Sequence, residues 1–100
     1  MIEIGKWYHT AYDQSASADE PETDDYALIL GNDNNWNYET YNLTFYKSAL
    51  RPTNMSGNIQ TFGAWQIKGE VKSRSQLDRL WRAVASEKIE VRKVVRRVFK

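Results

Sequence analysis

The stretch Ser73-Arg-Ser-Gln-Leu-Asp-Arg-Leu-Trp-Arg-Ala-Val84 decides the fold class of this 100-residue chain. It opens with a capping box, in which the Ser73 hydroxyl accepts from a backbone N–H three residues on and Gln76 reaches back. Four apolar residues follow at the i, i+3, i+4 and i+7 spacing of an amphipathic helix: Leu77, Leu80, Trp81 and Val84. The sequence therefore predicts one helix over about residues 74–86, packed on a sheet.

The segments before this helix show the patterns of β-strands. Residues 2–12 mix β-branched with aromatic residues, and residues 26–30 form a short apolar run closed by Gly31. Apolar and polar side chains alternate from Tyr41 to Tyr46, as in a strand with one buried face. The Asn32–Asn35 cluster between these two segments favours a turn, so we expect a hairpin there.

Residues 59–72 resume the alternation and predict a further strand. Trp65, Ile67 and Val71 fall on one side, with polar and charged residues on the other. We assign Trp65 to the core on this pattern, and Trp81 on its place in the helical stripe.

The C-terminal residues 87–100 fit two structures. Read as a helix, they form an apolar stripe in phase with the preceding one: Val91, Val94, Val95, Val98 and Phe99. Five of the fourteen residues are β-branched, however, which favours a strand with a bulge near Lys93. We adopt the strand. The prediction is a single α+β domain over residues 1–100, with an antiparallel sheet of four to five strands, one helix on one face and a basic C-terminal strand.

Charge is distributed unevenly along the chain. Residues 1–50 hold nine acidic and two basic side chains, whereas residues 51–100 hold four acidic and twelve basic ones. Residues 13–25 lack large apolar side chains and are predicted to form an acidic mobile loop. The basic half indicates an interaction surface, unless the acidic loop folds back and neutralises it within the molecule.

Motifs for catalysis, metals and nucleotides are missing from the sequence. With no cysteine and one histidine, His9, a zinc site of Cys and His ligands cannot form within one chain. No Gly-x-Ser-x-Gly elbow accompanies His9, and no glycine-rich phosphate loop is present. Residues 33–37 begin like an EF-hand loop, but Tyr38 and Thr44 stand where that loop needs glycine and glutamate. We therefore predict a non-enzymatic protein without catalytic residues, bound metal or cofactor.

The remaining signal is arginine interleaved with aromatic residues. Arginine and tryptophan contribute much of the binding energy at protein interfaces, and the arginine fork also fits phosphate. The predicted binding residues are Arg92, Arg96 and Arg97, with Arg79 and Arg82 on the helix and Trp36 in the turn. The lack of an apolar run of about 20 residues and of a signal sequence predicts no transmembrane segment and a cytoplasmic location.

We expect a small binding protein of inhibitor or adaptor type that docks on a macromolecular partner, and we expect this partner to be a protein. The alternative is a nucleic-acid-binding protein that places its basic C-terminal half on phosphates. In general character, though in no shared motif, the chain is similar to many short virus-encoded accessory proteins. The sequence does not decide the oligomeric state.

Overall fold

A computed structural model describes residues 1–10, 23–33, 36–46 and 57–98. Five strands and two helices are present in these ranges: β1 (Trp7–Thr10), β2 (Thr23–Asn32), β3 (Asn37–Tyr46), β4 (Asn58–Gly63), β5 (Ile67–Glu70), α1 (Arg74–Ala85) and α2 (Ile89–Val95). Short 3-10 turns occupy Ala64–Gln66 and Arg96–Val98. The predicted α+β class and antiparallel sheet are confirmed, with two helices in place of the one expected.

The sheet is built around a long hairpin of β2 and β3. Its order is β4-β3-β2-β1-β5, and every neighbouring pair is antiparallel. Tyr26 lies opposite Leu43 and Leu28 opposite Tyr41, so the apolar residues of the two strands share one face. Among the described residues, β4 and β5 therefore form the two edges of the sheet.

Both helices lie against one face of this sheet. Leu80 and Val84 of α1 and Val95 of α2 are buried in a cluster with residues of the first three strands: Trp7, Tyr26, Leu28, Leu30, Tyr41, Leu43 and Phe45. Ser73 caps α1, since its hydroxyl accepts from the Gln76 N–H at 3.4 Å. The apolar stripe of the sequence is thus the part of α1 that contacts the core.

The opposite face of the sheet is buried as well. Tyr8, Ile29, Tyr38, Phe62 and Ile67 form a second cluster there. The polar residues of β3 on that face, Thr40, Asn42 and Thr44, are also buried. The alternation in β3 therefore separates two buried faces, and not a buried face from a solvated one.

The predicted C-terminal strand is wrong. Residues 89–95 form α2 and residues 96–98 a 3-10 turn, while residues 99–100 lie outside the described part of the chain. Val91, Val94 and Val98 pack beside buried Val95 on the helix-side cluster. Burial of this stripe outweighs the preference of valine for β-strands, because propensity is a small effect that packing overrides.

The strand predicted over residues 59–72 is interrupted. The 3-10 turn at residues 64–66 separates β4 from β5, and it leaves Trp65 67% exposed instead of in the core. Ile67 and Val71 belong to different clusters, because the register between β1 and β5 shifts between Tyr8 and Thr10. Trp81, the other tryptophan assigned to the core, is partly buried and packs against the helix-side cluster.

The acidic loop predicted over residues 13–25 is wrong at its C-terminal end, where residues 23–25 belong to β2. Residues 13–22 lie outside the described ranges. Asp25 lies opposite Thr44 and is partly buried. Burial raises the pKa of Asp25; a hydrogen bond from Thr44 opposes the rise and the neighbouring Asp24 charge adds to it.

We expect Asp25→Asn to change the pH dependence of stability. Because the folded-state pKa of Asp25 is raised, the folded protein binds this proton more tightly than the unfolded chain does. Stability therefore falls as the pH rises through the unfolded and then the folded pKa, and the asparagine variant avoids this loss. Urea unfolding from about pH 3 to pH 7 should show the variant gaining stability relative to wild type. A difference in stability between variant and wild type that does not change with pH would contradict a raised pKa of Asp25. The matched control is Asp33→Asn, at an exposed position after β2.

Candidate binding groove between the two helices

A groove of about 330 Å³ runs between α1 and α2. Its lining comes from the two helices and from the C-cap of α2: Trp81, Val84, Ala85, Arg92, Val95 and Arg96. Ligand pockets in proteins span about 300–1,000 Å³, so this groove is at the small end and suits a few side chains.

The floor of the groove is fixed by the core. Val84 and Val95 are 7% and 1% exposed, one from each helix. Trp81 packs edge-to-face on buried Trp7, with ring centroids 5.4 Å apart. Edge-to-face packing orients both rings, so the floor is pre-formed.

The rim of the groove is cationic. Arg92 lies in α2 and Arg96 caps the C-terminal end of that helix, and the spacing of four residues brings both side chains to the groove. Both are exposed, as is neighbouring Lys93. Within residues 1–10, 23–33, 36–46 and 57–98, no carboxylate forms an ion pair with these three side chains. A smaller hollow of about 100 Å³ is lined by the same three cations and Ile89.

Arg97, predicted to act with Arg92 and Arg96, is oriented differently. Its guanidinium donates to the Glu39 carboxylate of β3 at 2.7 Å. This ion pair joins the C-terminal turn to the sheet. Two of the three C-terminal arginines therefore line the groove, and the third has a partner within the molecule.

The other predicted binding residues do not line the groove. The Arg79 guanidinium carbon lies 5.2 Å from the centre of the Phe45 ring, which is a cation–π contact inside the fold. Arg82 is exposed on α1. Trp36, 75% exposed, precedes β3 at the far end of the hairpin. The structure therefore distributes the predicted anchors over several surfaces.

The groove residues missed by sequence reasoning come from the apolar stripes. Trp81 was assigned to the core alone, and Val95 to a strand. The helical spacing of residues 91, 94, 95 and 98 was the available signal, and it also places Arg92 and Arg96 together beside the stripe.

Comparison with protein-family models, with curated proteins and with solved structures finds no match to this chain. None of the described helices has the length and apolar character needed to cross a membrane. The described residues also contain no group of three or more His, Cys, Asp or Glu side chains arranged to hold a metal ion.

Proposed function

We propose that the protein is a non-enzymatic binding protein of adaptor or inhibitor type, and that the α1–α2 groove takes an acidic, amphipathic segment of a protein partner. The observation that carries this proposal is the pair Arg92 and Arg96. Both border an apolar floor, and neither has a carboxylate partner in the described residues.

The chemistry of the groove favours a segment with two kinds of side chain. Trp81, Val84 and Val95 offer an apolar surface to a leucine or an aromatic residue. Two guanidinium groups one helical turn apart match two carboxylates at the same spacing on an approaching helix. In a recurring mode of peptide recognition, an amphipathic helix lies in a groove and binds through side chains that are one helical turn apart.

Net charge supports an acidic partner. Residues 74–98 contain eight Lys or Arg against three Asp or Glu. Such a surface attracts an acidic segment over a distance of about 10 Å at moderate salt, which raises the rate of association. It also repels basic segments, which contributes to specificity.

The test is selection of binding peptides by display against the whole protein. We expect enriched peptides to combine Asp or Glu with leucine or aromatic residues. For the best peptide, the double variant Arg92→Ala/Arg96→Ala should raise the Kd by about tenfold or more, because each charge-assisted contact contributes about 1.5–3 kcal/mol. Binding should also weaken as salt is added.

The matched control is Lys72→Ala/Arg74→Ala, which removes two exposed cations at the start of α1 that do not line the groove. This variant should bind the selected peptide within about twofold of wild type, since only long-range attraction is lost. Equal weakening by both double variants, or selected peptides without acidic residues, would contradict the proposal.

Nucleic acid is the second candidate partner. The observation that favours it is the exposed cluster of Arg92, Lys93 and Arg96, none of them ion-paired in the described part of the chain. Fluorescence anisotropy of labelled DNA and RNA at two salt concentrations separates the two candidates. Binding that falls steeply with salt and is lost in Arg92→Ala/Arg96→Ala would favour nucleic acid, because phosphate contacts release counterions.

A further inference from the structure

The two edges of the sheet differ in how well they are protected. β5 has four residues, and Lys68 and Glu70 place charge along it. β4 has six residues, Asn58-Ile-Gln-Thr-Phe-Gly63, without charge or proline. Natural sheets protect their edges with short strands, charged side chains and proline. β4 has none of these devices.

The register of β4 against β3 shows which of its backbone groups point outward. The Ala64 N–H donates to the Trp36 carbonyl at 2.9 Å, next to the Asn37–Gly63 pair. Hydrogen-bonded and non-hydrogen-bonded pairs alternate in an antiparallel ladder, so Gln60 and Phe62 bond to β3, and at the start of β4 the Gly57 N–H donates to the Asn42 carbonyl. Residues 59, 61 and 63 therefore direct their N–H and C=O groups away from the sheet.

One of these outward positions is already occupied. The Gly63 N–H donates to the Gln66 side-chain oxygen at 3.0 Å. Across the described residues, the outward groups of Ile59 and Thr61 have no such partner. Both side chains are exposed as well, with Ile59 39% exposed. The backbone groups of this edge that can pair with another strand are therefore those of Ile59 and Thr61, on either side of Gln60.

We propose that β4 pairs antiparallel with β4 of a second copy of this chain, about a two-fold axis at Gln60. In this register Ile59 lies opposite Thr61 of the second copy, and each such pair exchanges both backbone hydrogen bonds. The arrangement uses the free groups alone and leaves the Gly63 cap intact. A two-fold interface is self-complementary, as the alternation of β4 requires.

The turn after α2 places a neutralised ion pair beside this edge. Arg97, in the 3-10 turn that follows α2, donates to Glu39, which lies opposite Thr61. The arginine and the carboxylate neutralise each other there, so this pair adds no net charge at the two-fold axis. A dimer formed in this way would present two α1–α2 grooves on one side of a continuous sheet.

The first measurement is sedimentation of the whole protein from micromolar to millimolar concentration, with amide hydrogen exchange on the same samples. We expect concentration-dependent dimerisation. The Ile59 and Thr61 amides should become protected as the dimer forms, whereas those of Gln60 and Phe62 should not depend on concentration. A monomer throughout, with fast exchange at Ile59 and Thr61, would overturn the proposal.

The second measurement tests the register through charge at the axis. Gln60→Glu and Gln60→Lys each place like charges directly opposite one another, about 5 Å apart at Cβ. Each variant alone should dimerise at least about tenfold more weakly, and an equimolar mixture should recover association. Lys68→Glu on the β5 edge is the matched control and should leave dimerisation unchanged. A dimer that is insensitive to charge at Gln60 would overturn the proposed interface.

Discussion

Trp7→Ala is expected to lower the free energy of unfolding by about 3–5 kcal/mol, because it removes the largest side chain of the helix-side core. Trp7 is 1% exposed. Its ring packs edge-to-face on Tyr41 and Trp81, with centroid distances of 6.1 and 5.4 Å. A stability of about 5–15 kcal/mol is ordinary for a domain, so this one change removes a large share of it.

Urea unfolding followed by circular dichroism measures this loss, with two variants for comparison. Trp65→Ala deletes a side chain that is 67% exposed and should change stability by about 0.5 kcal/mol or less. Trp7→Phe should cost much less than Trp7→Ala. It keeps a ring in the core and removes the Trp7 indole N–H, which is buried without a hydrogen-bond partner in the described residues. Equal losses at Trp7 and Trp65 would contradict the described core.

The same side chain connects the core to the groove. Trp7 is the ring on which Trp81 rests, and Trp81 forms part of the groove floor. A smaller ring at position 7 should therefore weaken peptide binding through the floor, even where the fold survives. Because Trp7 is 1% exposed, such a loss of binding would reflect the position of Trp81 and not a lost contact between Trp7 and the peptide.

The parts of the fold that the sequence predicted are those with an unambiguous period. Tyr41, Leu43 and Phe45 share a face, and the apolar stripe of α1 contacts the core, because alternation and helical spacing directly determine which side chains lie together. The structure differs from the prediction where the sequence carries signals for both a helix and a strand. Residues 87–100 combine helical spacing with β-branched composition, and burial of Val95 at the groove settles the competition in favour of a helix.

The candidate site was predictable to a lesser extent. Arg92 and Arg96 were among the predicted binding residues, and the helix places them on one rim. The ion pair between Arg97 and Glu39 joins residues 58 positions apart, and no local pattern reports such a contact. The exposure of Trp65 depends on a 3-10 turn that interrupts the alternation of residues 59–72. Long-range pairing and local breaks in register are both set by tertiary packing, which a single sequence does not encode in its periodicity.

A second large effect on stability is expected where residues 86–88, the linker between α1 and α2, contact the sheet. Glu87, between α1 and α2, accepts a hydrogen bond from the Tyr41 hydroxyl at 2.6 Å. Burial first, and then the hydrogen bond to Glu87 and its charge, raise the pKa of Tyr41, so this hydroxyl keeps its proton and remains a donor. Gly57 lies against Glu87 with a φ of +82°, and a Cβ at position 57 would clash with the Glu87 carboxylate oxygen.

Gly57→Ala should therefore lower the free energy of unfolding through two effects. A left-handed backbone costs an alanine about 1–2 kcal/mol. The added methyl group also displaces Glu87 and breaks its bond to Tyr41, and a hydrogen bond to a charged group contributes about 1.5–3 kcal/mol. The combined loss is about 2.5–5 kcal/mol, measured by urea unfolding.

A double-mutant cycle separates the two effects. In a Tyr41→Phe/Glu87→Ala background the hydrogen bond is already absent and the carboxylate no longer obstructs position 57. Gly57→Ala should then cost the backbone strain alone, about 1–2 kcal/mol. The difference between the two backgrounds is the coupling energy, expected at about 1.5–3 kcal/mol because the residues contact one another. If Gly57→Ala costs the same in both backgrounds, strain explains the whole effect and Glu87 does not anchor the helix linker through Tyr41.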